Sequence, residues 1–315
     1  MTSRSARIEA ALIGAYVADA AALGFHWLYD PGRLAQLAGN DAAFREPDAS
    51  DFEGYKGVFV HPTKRAGDLS QYGHQLRVAI QSMIRTQGAF DIADFQDSFA
   101  AAFGSGGSWV GYMDKATKGT LANLAADQRD PSGFDDDQVP AIARLPAVMV
   151  QSGLGTDQID AVTRVTSNNT IAVEWSRPCA AVLNAVYDGA NIMDALKAGI
   201  AASTPEIATA LTAAINSDQP DSVAFAGQVG RACPLPQSLP VMYHIAARAT
   251  SFQDAIDRNI RAAGDNCGRA PVLGAWFGAA HGVTGNGVPL HWIGRVHDIA
   301  ELTAEISQLV AMLDD

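Results

Sequence analysis

The sequence predicts an all-α fold, an orthogonal bundle of about a dozen helices, and three observations carry the helical assignment. Apolar residues recur at three- and four-residue spacing along most of the chain, the period of a buried helix face. No stretch beyond short pieces alternates with period two, as a half-buried strand would. Ser, Asp or Asn repeatedly precede the apolar runs, where their side chains accept from the free N–H groups of a helix start.

Composition bounds the rest. Length alone, 315 residues, allows about two domains. No long Pro/Gly/Ser linker or charge block interrupts the helical patterns, so we read residues 1–315 as a single domain. A hydrophobic content of 48% fills a sizeable core without disulfides or structural metal. The net charge of −12 argues against a nucleic-acid or anionic-membrane surface, and an acidic ligand would need a local pocket of donors. The three cysteines, Cys179, Cys233 and Cys267, form no CxxC pair and suit a reducing cytoplasm. No uninterrupted apolar run reaches membrane-spanning length.

Taken in order, Ile8 to Leu23 reads as an Ala-rich first helix. Glu9 and Asp19 interrupt its apolar run, which fits a helix better than a signal peptide. Asp19 falls on a surface of small residues, an uncommon place for a carboxylate without partners. Asp30-Pro31-Gly32 signals a turn. Leu37 to Gly67 is irregular and reads as a long covering or functional loop. Asp68, with Gln71 three residues on, resembles a capping box opening a helix to Arg85, and Ile92 to Phe103 follows. Phe103 to Thr120 is glycine-rich but lacks the P-loop pattern. It is either a flexible connection or a loop whose Trp109 and Tyr112 stack on a ring. Asp135, Asp136 and Asp137 read as a solvated turn before the next helix. Further helices begin near Ala141, Thr156, Asn169, Asn191, Thr204, Ser222, Ser238 and Ser251. The last helix places Ile299, Leu302, Ile306, Leu309 and Leu313 on one stripe.

The stretch from Arg261 to Gly282 concentrates the chemistry. Gly264 suits the left-handed position that ends a helix, Asp265 suits the cap of the next, and Pro271 suits that helix's first turn. The helix that follows is apolar nearly all round and therefore buried. Gly67-Asp68 and Gly264-Asp265 share one local pattern. Either both acids are simple caps, or the two helix starts converge and frame a polar pocket suited to a hard cation such as Mg2+. His26 and His74 are candidate site residues or satisfied structural ones. Cys267, at a helix start, is either a thiol of lowered pKa or a small buried hydrophobe. No GxSxG elbow supports a serine nucleophile.

In order along the chain, GAYVADAAALGFHW resembles the GxxxGDAxGxPxE opening of the ADP-ribosylglycohydrolase family, and AGDLSQYGHQ its TDDT helix start. GYMDKATKGTLANL is similar to the family's glycine–tyrosine loop and TRVTSNNTIAV to its TH segment. AAGDNCGRAPVLGAWFGAAHG, followed by GVPLHW, resembles GGDTDTxAxxxGAxxGAxxG and IPxxW. The VADAA and HW variants look closest to the branch containing the J-type crystallins.

The resemblance implies an all-α bundle with two Mg2+ ions and ADP-ribose at its centre, cleaving an N- or O-glycosidic bond to an ADP-ribosylated residue. It implies a small-molecule or ADP-ribosylated partner, with Asp68, Asp265 and His26 as catalytic groups. Asp68, Ser70, Asp265 and Cys267 stand at the metal positions, with Tyr112, Trp109, Asn168 and His74 as substrate contacts and Asn266 beside them. Leu69, Cys267 and Gly268 replace an acid, an acid and a threonine of the family pattern, His26 replaces a glutamate, and Ser167 stands at the histidine of TH. This donor set leaves open one metal, a softer Zn2+ or Fe site of His26, Asp68, Asp265 and Cys267, or none. It likewise leaves open a hydrolase or a non-catalytic, ligand-binding or crystallin-like member.

Overall fold

In the computed structural model, residues 2–313 are described, and among them the secondary structure is helical apart from isolated bridges. The first helices are α1 (Arg4–Ala22), α2 (Pro31–Ala38), α3 (Gln71–Arg85), α4 (Ile92–Phe103) and α5 (Lys115–Ala125). Next come α6 (Leu145–Val148), α7 (Thr156–Arg164), α8 (Thr170–Tyr187), α9 (Ile192–Ala201), α10 (Pro205–Ile215) and α11 (Ser222–Val229). The chain closes with α12 (Leu235–Ala246), α13 (Phe252–Arg261), α14 (Asn266–His281), α15 (Leu290–Ile293) and α16 (Ile299–Ala311). The all-α expectation is met, with sixteen helices rather than about a dozen.

The difference lies in short or punctuated helices. Asp30 does not close a turn: its side chain accepts from Arg33 N–H at 2.8 Å and caps α2, with Pro31 in the first turn, where a missing N–H costs nothing. α5 begins within the segment read as a glycine-rich connection and runs past its end, because Asp114 accepts from Thr117 N–H at 2.6 Å and caps it. Asn169, Asn191 and Ser251 cap α8, α9 and α13 at the expected places. Pro271 lies inside α14 rather than in its first turn, because the helix already starts at Asn266.

α1 and α14 form the centre and pack side by side in opposite directions, with small residues between them. A Cβ on Gly274 would lie 2.3 Å from the Gly14 carbonyl oxygen, and one on Gly278 would lie 2.3 Å from that of Ala10. The two backbones therefore touch directly, which only glycine permits. Helical glycine costs about 0.5–1 kcal/mol against alanine, and close packing offsets that cost. Arg4–Phe25 is long and apolar enough to cross a membrane, but 89% of its window is buried inside the fold, as a core helix is. α3, α6, α8, α12, α13 and α16 pack around this pair. The contiguous apolar core draws side chains from all sixteen helices.

Overpacking this contact gives the first prediction. Gly274→Ala should destabilise the protein by about 1–3 kcal/mol or more in denaturant unfolding. Gly294→Ala, at φ −67° and with the added carbon meeting nothing nearer than 3.8 Å, should change stability far less.

Candidate functional site

The antiparallel pairing brings the last turn of α1 beside the first turn of α14. Asp19 comes from the former, Asp265 and Cys267 from the latter, and the start of α3 closes over both. Asp19, Asp265, Cys267 and Ser70 are fully buried.

Asp19 accepts from Ser70 twice, from the backbone N–H at 2.7 Å and from the hydroxyl at 2.5 Å. Gly73 makes room for this carboxylate, since a Cβ there would sit 2.3 Å from Asp19 Oδ2. Burial pushes the Asp19 pKa up to about 7, although the Ser70 hydrogen bonds and the Lys64 charge pull the other way. Ser70, and not Asp68, is the cap of α3: its hydroxyl accepts from Tyr72 N–H at 3.1 Å.

Asp265 is the cap of α14, as expected, and accepts from Gly268 N–H at 3.1 Å. The same oxygen lies 3.0 Å from His26 Nε2 and accepts from the Tyr72 hydroxyl at 3.4 Å. Burial raises its pKa, but the His26 hydrogen bond and charge outweigh burial and hold the carboxyl below its usual value. His26 is positioned by its neighbours. Trp27 N–H donates to Gly264 O and Gly264 N–H to Leu28 O, each at 2.9 Å, while Asn266 Nδ2 donates to Phe25 O at 3.1 Å. The second His26 nitrogen, Nδ1, lies 2.8 Å from His61 Nε2. Burial, then the charges of His26 and Lys64, drive the His61 pKa down to about 2 and keep that ring neutral. Asp265, His26 and His61 form a buried hydrogen-bonded chain. His61 Nδ1 and Asp265 Oδ2 end it without hydrogen-bond partners.

The predicted residues thus divide. His26, Ser70, Asp265, Asn266 and Cys267 come together in the buried centre. Asp68 does not join Asp265. It accepts from Arg65 N–H at 2.8 Å, pairs with His297 Nδ1 at 2.7 Å, and lines a surface pocket of about 240 Å3 with His74, Trp109 and Lys64. There Lys64 Nζ lies 4.0 Å from the Trp109 ring centroid, and burial lowers the His74 pKa to about 4. Tyr112 packs edge-on against Trp27 at 5.1 Å, and its carbonyl oxygen accepts from Trp109 Nε1–H at 3.2 Å. Asn168 is occupied structurally, accepting from Arg164 Nη1 at 2.6 Å and donating its N–H to Phe134 O at 2.7 Å. Cys267 is not an activated thiol. Burial, then the charges of Asp19 and Asp265, raise its pKa well above the ordinary value.

His61, Tyr72, Lys64 and Cys233 are the members that sequence reasoning missed. His61 sits in an irregular loop with no local pattern to mark it. Cys233 lies against Asp265, Trp27 and Tyr29, contacts across the fold that no spacing announces. Asp19 carried a signal, its isolation among small residues.

The family's metals can be tested against these groups. Mg2+ needs several free oxygen ligands. Both Asp19 oxygens already accept from Ser70, Asp265 Oδ1 accepts from protein donors, and Asp265 Oδ2 alone of the four is unengaged. The residues present do not fit two Mg2+ ions. The softer set of His26, Asp68, Asp265 and Cys267 is not brought together either, because Asp68 is turned to His297 at a surface pocket. Among the described residues, no group of three or more His, Cys, Asp or Glu side chains is placed to hold a metal ion.

The raised Asp19 pKa has a definite sign. Between 3.8 and about 7 the folded chain keeps a proton that the unfolded chain has lost. The associated stability is full below the unfolded pKa and is lost as pH rises through 7, on the order of 4 kcal/mol in all. Relative to Asp19→Asn, the native chain's unfolding free energy should fall between pH 4 and pH 7 and then level off. A difference independent of pH would contradict this assignment.

Comparison with known proteins follows the same outline. A sequence model of the ADP-ribosylglycohydrolase family matches residues 1–315. Crystallin J1A of Tripedalia cystophora is 25% identical, with 98% of this chain and 97% of that protein covered. Crystallin J1B of the same animal is 24% identical at the same coverage. A solved structure described as an ADP-ribosylglycohydrolase-related protein complex superposes with a TM-score of 0.73 over 99% of each chain, at 19% identity, a likeness of fold. With its whole length matched, the chain belongs to the ADP-ribosylglycohydrolase family.

Proposed function

We propose that this chain is a non-hydrolysing member of its family, a crystallin-like structural protein in which the former reaction centre serves as polar core. The observation that carries this reading is the sealing of that centre. Asp19, His26, Asp265 and Cys267 are each 1% exposed or less. Glycosidic hydrolysis needs an acid, a base and a water around the anomeric carbon, and these groups offer no surface for a sugar to reach. His26 stands where the family pattern has a carboxylate, and both its ring nitrogens are engaged, one by Asp265 and one by His61. The similarity to two J-type crystallins across nearly the whole chain supports the same reading.

Calorimetric titration of ADP-ribose, with and without Mg2+, tests it together with release of ADP-ribose from serine- and arginine-linked ADP-ribosylated peptides. No Mg2+-dependent binding and no release above the uncatalysed rate are expected. Binding strengthened by Mg2+ and accompanied by release would overturn the proposal.

A further inference from the structure

The chain carries a ligand-sized hollow whose unpaired side-chain groups are donors. A cavity of about 460 Å3, within the usual range for small-molecule sites, is lined by Tyr29, Lys56, Arg231 and Gln237 and by the backbone of Gly227 and Gly230. No carboxylate lines it, although the chain has a net charge of −12.

Each donor is either held in place or free to reach. Arg231 is fixed by two carbonyls, with Nε donating to Ala262 O at 3.1 Å and Nη2 to Val223 O at 2.7 Å. Its Nη1 has no acceptor, and the guanidinium no ion pair, among the described residues. The exposed Lys56 ammonium is likewise unpaired among them. Gln237 accepts from Ala232 N–H at 3.1 Å through Oε1, which fixes the amide and leaves Nε2 to donate. Gly230, at φ +108°, is what lets Gln237 sit there, since a Cβ would meet its Oε1 at 2.1 Å. Tyr29 supplies a ring wall.

The half-buried Arg231 guanidinium has no ion pair, although the Asp221 charge reaches it, and it carries a desolvation cost that a bound anion would offset. Arginine and lysine together suit phosphoryl and carboxylate oxygens. A cation or a wholly apolar ligand would leave these donors unmatched. We propose that this cavity binds a small molecule through a phosphoryl or carboxylate group, taken by Lys56 Nζ, Arg231 Nη1 and Gln237 Nε2. The proposal does not depend on whether the buried centre hydrolyses anything.

The test is NMR titration of the isotope-labelled full chain with sodium phosphate and, separately, sodium malonate, at constant ionic strength, followed on the Gln237 and Arg231 side chains. Saturable shifts with at least one anion, absent with chloride, are expected. Saturation by phosphate alone assigns a phosphoryl ligand, and by malonate alone a carboxylate. Lys56→Gln should weaken binding about tenfold, the loss of one charged contact. Gln237→Glu keeps an acceptor for Ala232 N–H but turns the donor into an anion, and should abolish saturation while leaving the unfolding midpoint unchanged. Shifts that never saturate, or saturable binding that both variants leave intact, would overturn the proposal.

Discussion

The direct backbone contact between α1 and α14 is the constraint on which the rest of the structure depends. Gly14 faces Gly274 and Ala10 faces Gly278 with no side chain between them. Following the same antiparallel pairing toward the end of α1 sets Asp19 against Cys267, whose sulfur lies 4.0 Å from the Asp19 carbonyl oxygen. A wider helix pair would leave a gap there large enough for water. The close pair instead brings a carboxylate, a thiol and a second carboxylate into one dry volume, and every later feature of the centre follows from how those groups are satisfied.

Two buried carboxylates are satisfied in opposite ways. Asp19 meets neutral donors on Ser70, and burial wins, so its pKa rises to about 7. Asp265 meets His26, with Arg269 in its field, and these outweigh burial, so its pKa falls. An unpaired buried charge costs several kcal/mol, and a partner recovers this only with good geometry. The short His26–Asp265 and His26–His61 distances provide it. Most of these polar atoms are engaged within the protein, while Asp265 Oδ2 and His61 Nδ1 are left without hydrogen-bond partners. The carboxylates that hold a cation in an open site are here engaged by the protein itself.

Much of the fold was legible in the sequence because helix period and caps are local signals. Asn169, Ser251 and Asp265 cap the helices they were expected to cap, each bonding a backbone N–H two or three residues on. The site was legible in part. His26, Ser70, Asp265, Asn266 and Cys267 lie together, whereas Asp68, His74 and Trp109 line a surface pocket outside the buried centre. Asp68 and Ser70 are both good caps two positions apart, and only the long-range contacts of Asp68 with His297 and Ser70 with Asp19 decide between them. His61 and Cys233 were invisible for the same reason. Their partners lie far away in sequence, and local pattern carries no information about such pairs.

The central claim is that the buried polar groups hold the fold together rather than await a substrate. Denaturant unfolding of Asp265→Asn tests it most directly. A structural role predicts a loss of about 1–3 kcal/mol, the usual consequence of leaving buried hydrogen-bonding groups without a partner. Unchanged or increased stability would contradict it, because that is how a protein responds when a strained, functional active-site group is removed.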